Sequence, residues 1–167
     1  MDDPPDRGYS RAPELEDLLS LCAALDREGA RYLLIGGFAV ILHGYVRATK
    51  DIDLLVDTSP ENVQAIKRAL GTLPDNAVAE LGDDEVGKYL VVRVADEIVI
   101  DLMASACGID YAQAAAGIER MEVQGVSIPV ASKSLLIRMK DTARDTDHAD
   151  VRFLRLRLEE ERRREGR

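Results

Sequence analysis

Leu15, Leu18, Leu19, Cys22 and Leu25 recur at intervals of three and four residues. That spacing draws one apolar stripe and predicts an amphipathic helix. The helix should start near Pro13-Glu14, with proline in its first turn, and stop at Gly29. Tyr32-Leu33-Leu34-Ile35 is an unbroken apolar run and predicts a short buried strand. The run halts at Gly36-Gly37, and Phe38 to Leu42 predicts a second, apolar helix. A loop carrying His43, Gly44, Arg47 and Lys50 leads into a second strand, Asp51-Ile52-Asp53-Leu54-Leu55-Val56. Thr58-Ser59-Pro60-Glu61 starts another helix, which Gly71 should end after Leu70.

Residues 72–87 are rich in Gly, Asp, Asn and Pro and predict a loop, with a short strand at Ala77–Leu81. Lys88–Val94 and Ile98–Met103, around a turn at Ala95-Asp96-Glu97, predict a β-hairpin. Asp110 should cap a helix over Tyr111–Ile118. Arg120–Val123 and Val126–Val130 form a second expected hairpin around Gln124-Gly125. Ser132 should cap a helix running through Asp145, with Leu135, Leu136 and Met139 on its apolar face. The last segment continues helical, with Val151, Leu154 and Leu158 on one stripe. This order predicts an α/β (α+β) fold: one domain with a small mixed sheet flanked by helices. The domain is expected over 13–158, between a disordered tail at 1–12 and a charged tail at 159–167.

The candidate chemistry sits at the mouth of the second strand. Side chains on a strand alternate, so Asp51 and Asp53 point to one face. Two carboxylates there repel each other unless something positive lies between them. Mg²⁺ takes oxygen ligands of this kind and is the obvious candidate. Asp101 interrupts the apolar run Ile98–Met103, and a carboxylate in a buried strand is costly unless it is paired or metal-bound. Gly36-Gly37 serves either as a tight strand-to-helix turn or as bare backbone that lets a phosphate approach. Arg47 and Lys50 are solvated loop charges or phosphate contacts. His43 is expected to be packed at a helix end, and Thr49 to orient the loop.

Gly36-Gly37, a helix, then Arg47-x-Thr49-x-Asp51-x-Asp53-Leu54 resembles the nucleotidyltransferase superfamily of the DNA polymerase β type. More narrowly, it is similar to the small bacterial branch that includes the abortive-infection and toxin–antitoxin nucleotidyltransferases. The stretch from Pro129 through Lys140, Arg144, Asp147 and Asp150 to Leu154 looks like that branch's C-terminal signature. The resemblance implies that Asp51, Asp53 and Asp101 form a catalytic and metal-binding triad for two Mg²⁺ ions. Asp51 and Asp53 would hold the nucleotide-bound ion, and Asp101 would sit nearest the acceptor hydroxyl. Gly36, Gly37, Arg47 and Lys140 would contact the nucleoside triphosphate, with Asp147 holding Lys140 or Arg144 in place. Read from spacing alone, the same four charges (Lys140, Arg144, Asp147 and Asp150) form a surface ion-pair ladder.

The implied reaction moves a nucleoside monophosphate to a hydroxyl on RNA, protein or a small molecule. A cognate antitoxin or toxin protein is an implied partner. Gly37 departs from the many members that carry serine there. No large helical domain follows within these 167 residues, so the acceptor stays open.

Net charge narrows the alternatives. At −9 the chain is unsuited to holding nucleic acid over its whole surface, although a local patch remains compatible. No apolar run reaches the roughly 18 residues a membrane span needs. The start, MDDPPD, is unlike a signal peptide, so a cytoplasmic protein is expected. In that reducing setting Cys22 and Cys107 are expected to be buried thiols. The rival readings are a catalytically inactive binding module, acting as antitoxin or regulatory partner, and an antibiotic-modifying nucleotidyltransferase.

Overall fold

The computed structural model describes residues 10–167. Its elements are α1 (Leu15–Arg27), β1 (Tyr32–Ile35), α2 (Gly36–Leu42), β2 (Asp51–Val56), α3 (Pro60–Leu70) and α4 (Glu85–Lys88). They continue with β3 (Val92–Ala95), β4 (Val99–Met103), β5 (Ser105–Ala106), β6 (Ile109–Asp110) and α5 (Tyr111–Ala114). The chain closes with β7 (Ile118–Val123), β8 (Val126–Ala131), α6 (Lys133–Met139) and α7 (Asp145–Glu165).

Six strands form one mixed sheet in the order β3-β4-β2-β1-β8-β7. β1 lies at its centre, antiparallel to β2 and parallel to β8. All four β1 residues are buried, which is why they read as an unbroken apolar run. β2 and β4 are parallel and adjacent, in a register that sets Asp53 beside Asp101. α1 packs with α3, while α2 packs with α6 and α7, so two helix groups flank the sheet. The core runs through Leu33, Leu34, Ile52, Leu54, Ile100 and Leu102, all fully buried. The expected α/β fold with a mixed sheet is therefore present.

Several local expectations give way to tertiary contacts. Ala77–Leu81 is not a strand: Ala77–Glu80 is a 3-10 turn. The buried Asp96 carboxylate fixes it by accepting from the amides of Asp75 (3.0 Å) and Ala77 (2.9 Å). The strand expected from Lys88 starts only at Val92, because its partner β4 ends one residue beyond the Val92–Leu102 pair. Leu90, left without a partner strand, is 80% exposed. The helix expected over Tyr111–Ile118 keeps its Asp110 cap but ends at Ala114, and Ile118 joins β7 opposite Ala131.

The helix after Ser132 stops at Met139 instead of running through Asp145. Thr142 turns the chain by donating its amide to the Lys140 carbonyl and its hydroxyl to Asp147. Lys140 and Arg144 therefore do not share a helical face. α7 then runs unbroken to Glu165, and Lys133 pairs with Glu161 at 2.7 Å. Cys22 is buried, and burial pushes its thiol up to about 12. Cys107, expected to be buried, is exposed. It follows β5 in a turn with φ of 47°, outside the core. Of the tail expected over 1–12, residues 1–9 lie outside the described residues. Ser10 and Arg11 are hydrogen-bonded to Asp96 and Glu97 at the β3–β4 turn.

Candidate active site

Two parallel strands bring three carboxylates together. Asp51 and Asp53 lie two apart on β2, and Asp101 sits on β4 in register with Asp53. One carboxylate oxygen from each falls within 4.8 Å of the others. Asp101 is buried, while Asp51 and Asp53 are half-buried. Burial and the two neighbouring carboxylates push the Asp53 carboxyl up to about 7. Burial, and then the Asp101 charge, also raise Asp51. Such a cluster is short of positive charge.

Part of that charge comes from Arg93 on the edge strand β3, opposite Asp101. Its guanidinium forks onto Asp101 with bonds of 2.9 and 2.9 Å and reaches Asp51 at 3.4 Å. Asp101 therefore does both things open to a carboxylate in a strand: it pairs with an arginine and joins an acidic cluster. Arg93 was not among the expected site residues. Its signal was there, a cation in an apolar hairpin strand with a carboxylate in the partner strand. The register that pairs them depends on a turn at Asp96-Glu97-Ile98, one residue further along than the sequence suggests.

Gly36 closes the floor of the cluster. Its φ is +71°, and a Cβ there would overlap the Asp53 side chain. Gly36→Ala should therefore cost about 1–3 kcal/mol from backbone strain alone. A lowered melting temperature, with Asp53 displaced, checks this. Gly37 lies under Arg47: a Cβ on Gly37 would come within 2.7 Å of Arg47 Nη2 and 2.9 Å of Thr49 Oγ1. Arg47 thus fills the space that a serine side chain would need.

Arg47 and Lys140 meet at one buried carboxylate. Asp150, 1% exposed, accepts from Arg47 Nη2 at 2.8 Å and pairs with Lys140 Nζ at 2.9 Å. Asp147 adds a second partner for Lys140 at 3.4 Å. These pairs are buried, so the solvated ladder does not describe them. Arg144 is the exception: it is exposed and only 3.9 Å from Asp147. Lys140 also faces the acidic cluster closely enough for its charge to lower the Asp53 pKa. The structure thus joins the two sequence stretches that carry the motifs. Lys50 is exposed and has no ion-pair partner among the described residues. His43 is buried with Nε2 2.8 Å from the Ala131 carbonyl oxygen, and burial lowers its pKa. It packs and stays out of the cluster.

The donor set fits a hard divalent cation. Three carboxylates converge, none lies among soft ligands, and burial with two carboxylate neighbours holds one of them protonatable near neutrality. Removing Arg93 should sharpen this: Arg93→Gln is expected to bind Mn²⁺ several-fold more tightly, because a competing cation is gone. Titration calorimetry reads that change directly.

No family model matches the chain, and no curated protein matches it. Among solved structures, one from Thermotoga maritima, described as a "putative nucleotidyltransferase", is similar. It superposes with a TM-score of 0.53 over 96% of this chain and 97% of that one, at 17% identity. The fold is nucleotidyltransferase-like. At that identity the likeness carries the architecture, and the chemistry has to come from the residues.

Proposed function

We propose that this protein is a Mg²⁺-dependent nucleotidyltransferase that moves a nucleoside monophosphate from a nucleoside triphosphate to an acceptor hydroxyl. The observation that carries the reading is the convergence of Asp51, Asp53 and Asp101 beside the bare backbone of Gly36. Asp51, Asp53 and Asp101 would hold the metal. Bound there, two Mg²⁺ ions would stabilise the attacking and leaving oxygens at the α-phosphorus.

The chain's own groups then have defined tasks. Asp101 is the most buried of the three, and it accepts the proton of the acceptor hydroxyl or orients that hydroxyl for attack. Asp53, with its carboxyl near 7, is half-charged at neutrality, so cation binding and proton loss are coupled there. Lys140, pinned by Asp147 and Asp150, supplies a fixed positive charge for the phosphates. Arg47 shares the Asp150 anchor and lies over Gly37, which suits the same task. Because both cations are held before substrate arrives, little side-chain entropy is lost on binding.

Thermal melts with Mg²⁺ and each nucleotide test the reading. Stabilisation by a metal–nucleotide combination is expected, and its loss in Asp51→Asn. No stabilisation by any combination would count against the proposal. The Mg²⁺–nucleotide chemistry supports a cytoplasmic setting, and no helix among the described residues is long and apolar enough to cross a membrane. The motif resemblance supports membership of a toxin–antitoxin or defence pair, for which a stoichiometric co-purifying partner is the test.

One observation favours a second reading, an inactive binding module. Arg93 already neutralises Asp101, as a structural ion pair would. In that case Arg93→Gln lowers the melting temperature and metal restores none of the loss.

A further inference from the structure

Four arginines with no acidic partner among the described residues line one side of this acidic protein. α7 forms one wall of a groove of about 860 Å³, and α6 with the β5–β6 turn forms the other. Arg138, Lys140, His148, Arg152 and Arg155 line it together with Ile109, Ile137 and Val151. A smaller hollow of about 380 Å³ extends it along α7, past Arg155 to Arg162. His148, Arg152, Arg155 and Arg162 are spaced by four, three and seven residues, so they share one face of α7.

Among the described residues, Arg138, Arg152, Arg155 and Arg162 form no salt bridge, whereas Arg157 and Arg163 on α7's flanks do. Of the groove's two acids, Glu159 is already bonded to Arg163 at 3.1 Å, and Asp141 stands alone against Arg138, Arg152 and Arg155. The groove is therefore net basic on a chain of charge −9. It shares one residue with the candidate active site: Lys140 lines it, and the charge of the same side chain acts on Asp53.

We propose that this groove holds the phosphate backbone of a single-stranded polynucleotide, and that this strand is the acceptor. Calling it the acceptor rests on the transferase reading; the binding does not. Arg152 to Arg162 spans about 15 Å along the helix, the reach of a few successive phosphates and more than a single small anion needs. Arginine forks suit phosphate oxygens. Phe, Tyr and Trp are missing from the groove's lining, so phosphate contacts dominate the binding. Such binding is indifferent to sequence and steeply dependent on salt.

Fluorescence anisotropy with a mixed-sequence single-stranded 12-mer oligoribonucleotide, without metal or nucleotide, tests the groove. Three or four phosphate contacts should give a slope of about −2 to −3 in log affinity against log salt. Arg152→Gln with Arg155→Gln should weaken binding about tenfold or more and flatten the slope by about 1.4. Arg68→Gln, on α3 and away from the groove, should leave it unchanged. Bound oligonucleotide should also slow alkylation of Cys107, the exposed thiol at the groove's edge. No binding would overturn the proposal, as would binding indifferent to the groove variant or unprotected Cys107. Equal competition by polyglutamate would replace the polynucleotide with an acidic protein partner. Asp51→Asn/Asp53→Asn should bind the oligonucleotide at least as well as wild type. Binding by wild type with no transfer from any nucleotide would strike the transferase reading and leave the groove standing.

Discussion

Asp53→Asn is expected to abolish nucleotidyl transfer and yet raise the melting temperature of the metal-free protein. The two effects have one cause. The folded chain holds the Asp53 carboxyl near 7, against about 3.9 when unfolded, because burial and two carboxylates oppose its charge. Between those values the native state binds more protons than the unfolded state. Stability therefore falls as pH rises through about 7, by about 2–4 kcal/mol. Asparagine is never charged and escapes that loss. At pH 8, without metal, the variant should melt roughly 5–10 °C above wild type, and the gap should narrow steadily as pH falls towards about 4. Added Mg²⁺ should reverse the order, since only wild type gains a ligand. Transfer should drop about a thousandfold or more. Melts at two pH values, with and without metal, check the stability half. A variant that melts lower at pH 8 without metal would mean that Asp53 is answered by a cation.

The largest loss of stability is expected at Asp150. It is buried at 1% exposure and holds both Lys140 and Arg47. Asp150→Ala leaves two cations without their shared anion, a change that typically costs 3–5 kcal/mol. Lys140 keeps only Asp147, at 3.4 Å. The melting temperature should fall by roughly 10 °C or more. Adding Lys140→Met to Asp150→Ala should restore part of that, because it removes one of the orphaned charges. Urea unfolding of both variants measures the coupling. Equal stability of Asp150→Ala and wild type would mean that the buried pair is dispensable.

The parts of the fold that could be read in the sequence were those where one residue type dictates local geometry. β1 shows as four apolar residues because it is buried on both faces, and Gly36-Gly37 marks the turn that follows. Asp51 and Asp53 share a face by strand alternation alone. What could not be read depends on partners far apart in sequence. Arg93 lies on an edge strand whose register is fixed by β4. Asp150 lies 103 residues from Arg47, and nothing local says that Asp150 is buried. Asp96 is similar: it looks like a turn residue, yet its carboxylate organises Asp75–Ala77 across the chain. The break between α6 and α7 was hidden because Lys140–Arg144 carries no proline or glycine. It arises from the Thr142 hydroxyl bonding to Asp147.

The most direct test is transfer itself. The protein is incubated with Mg²⁺, a cell extract and each of the four nucleoside triphosphates labelled at the α-phosphate, beside Asp51→Asn/Asp53→Asn. Label entering a macromolecule or small acceptor with wild type alone is the predicted result, and the labelled fraction identifies the acceptor class. Absence of label from all four nucleotides, or equal labelling by the double variant, would contradict catalysis by the acidic cluster.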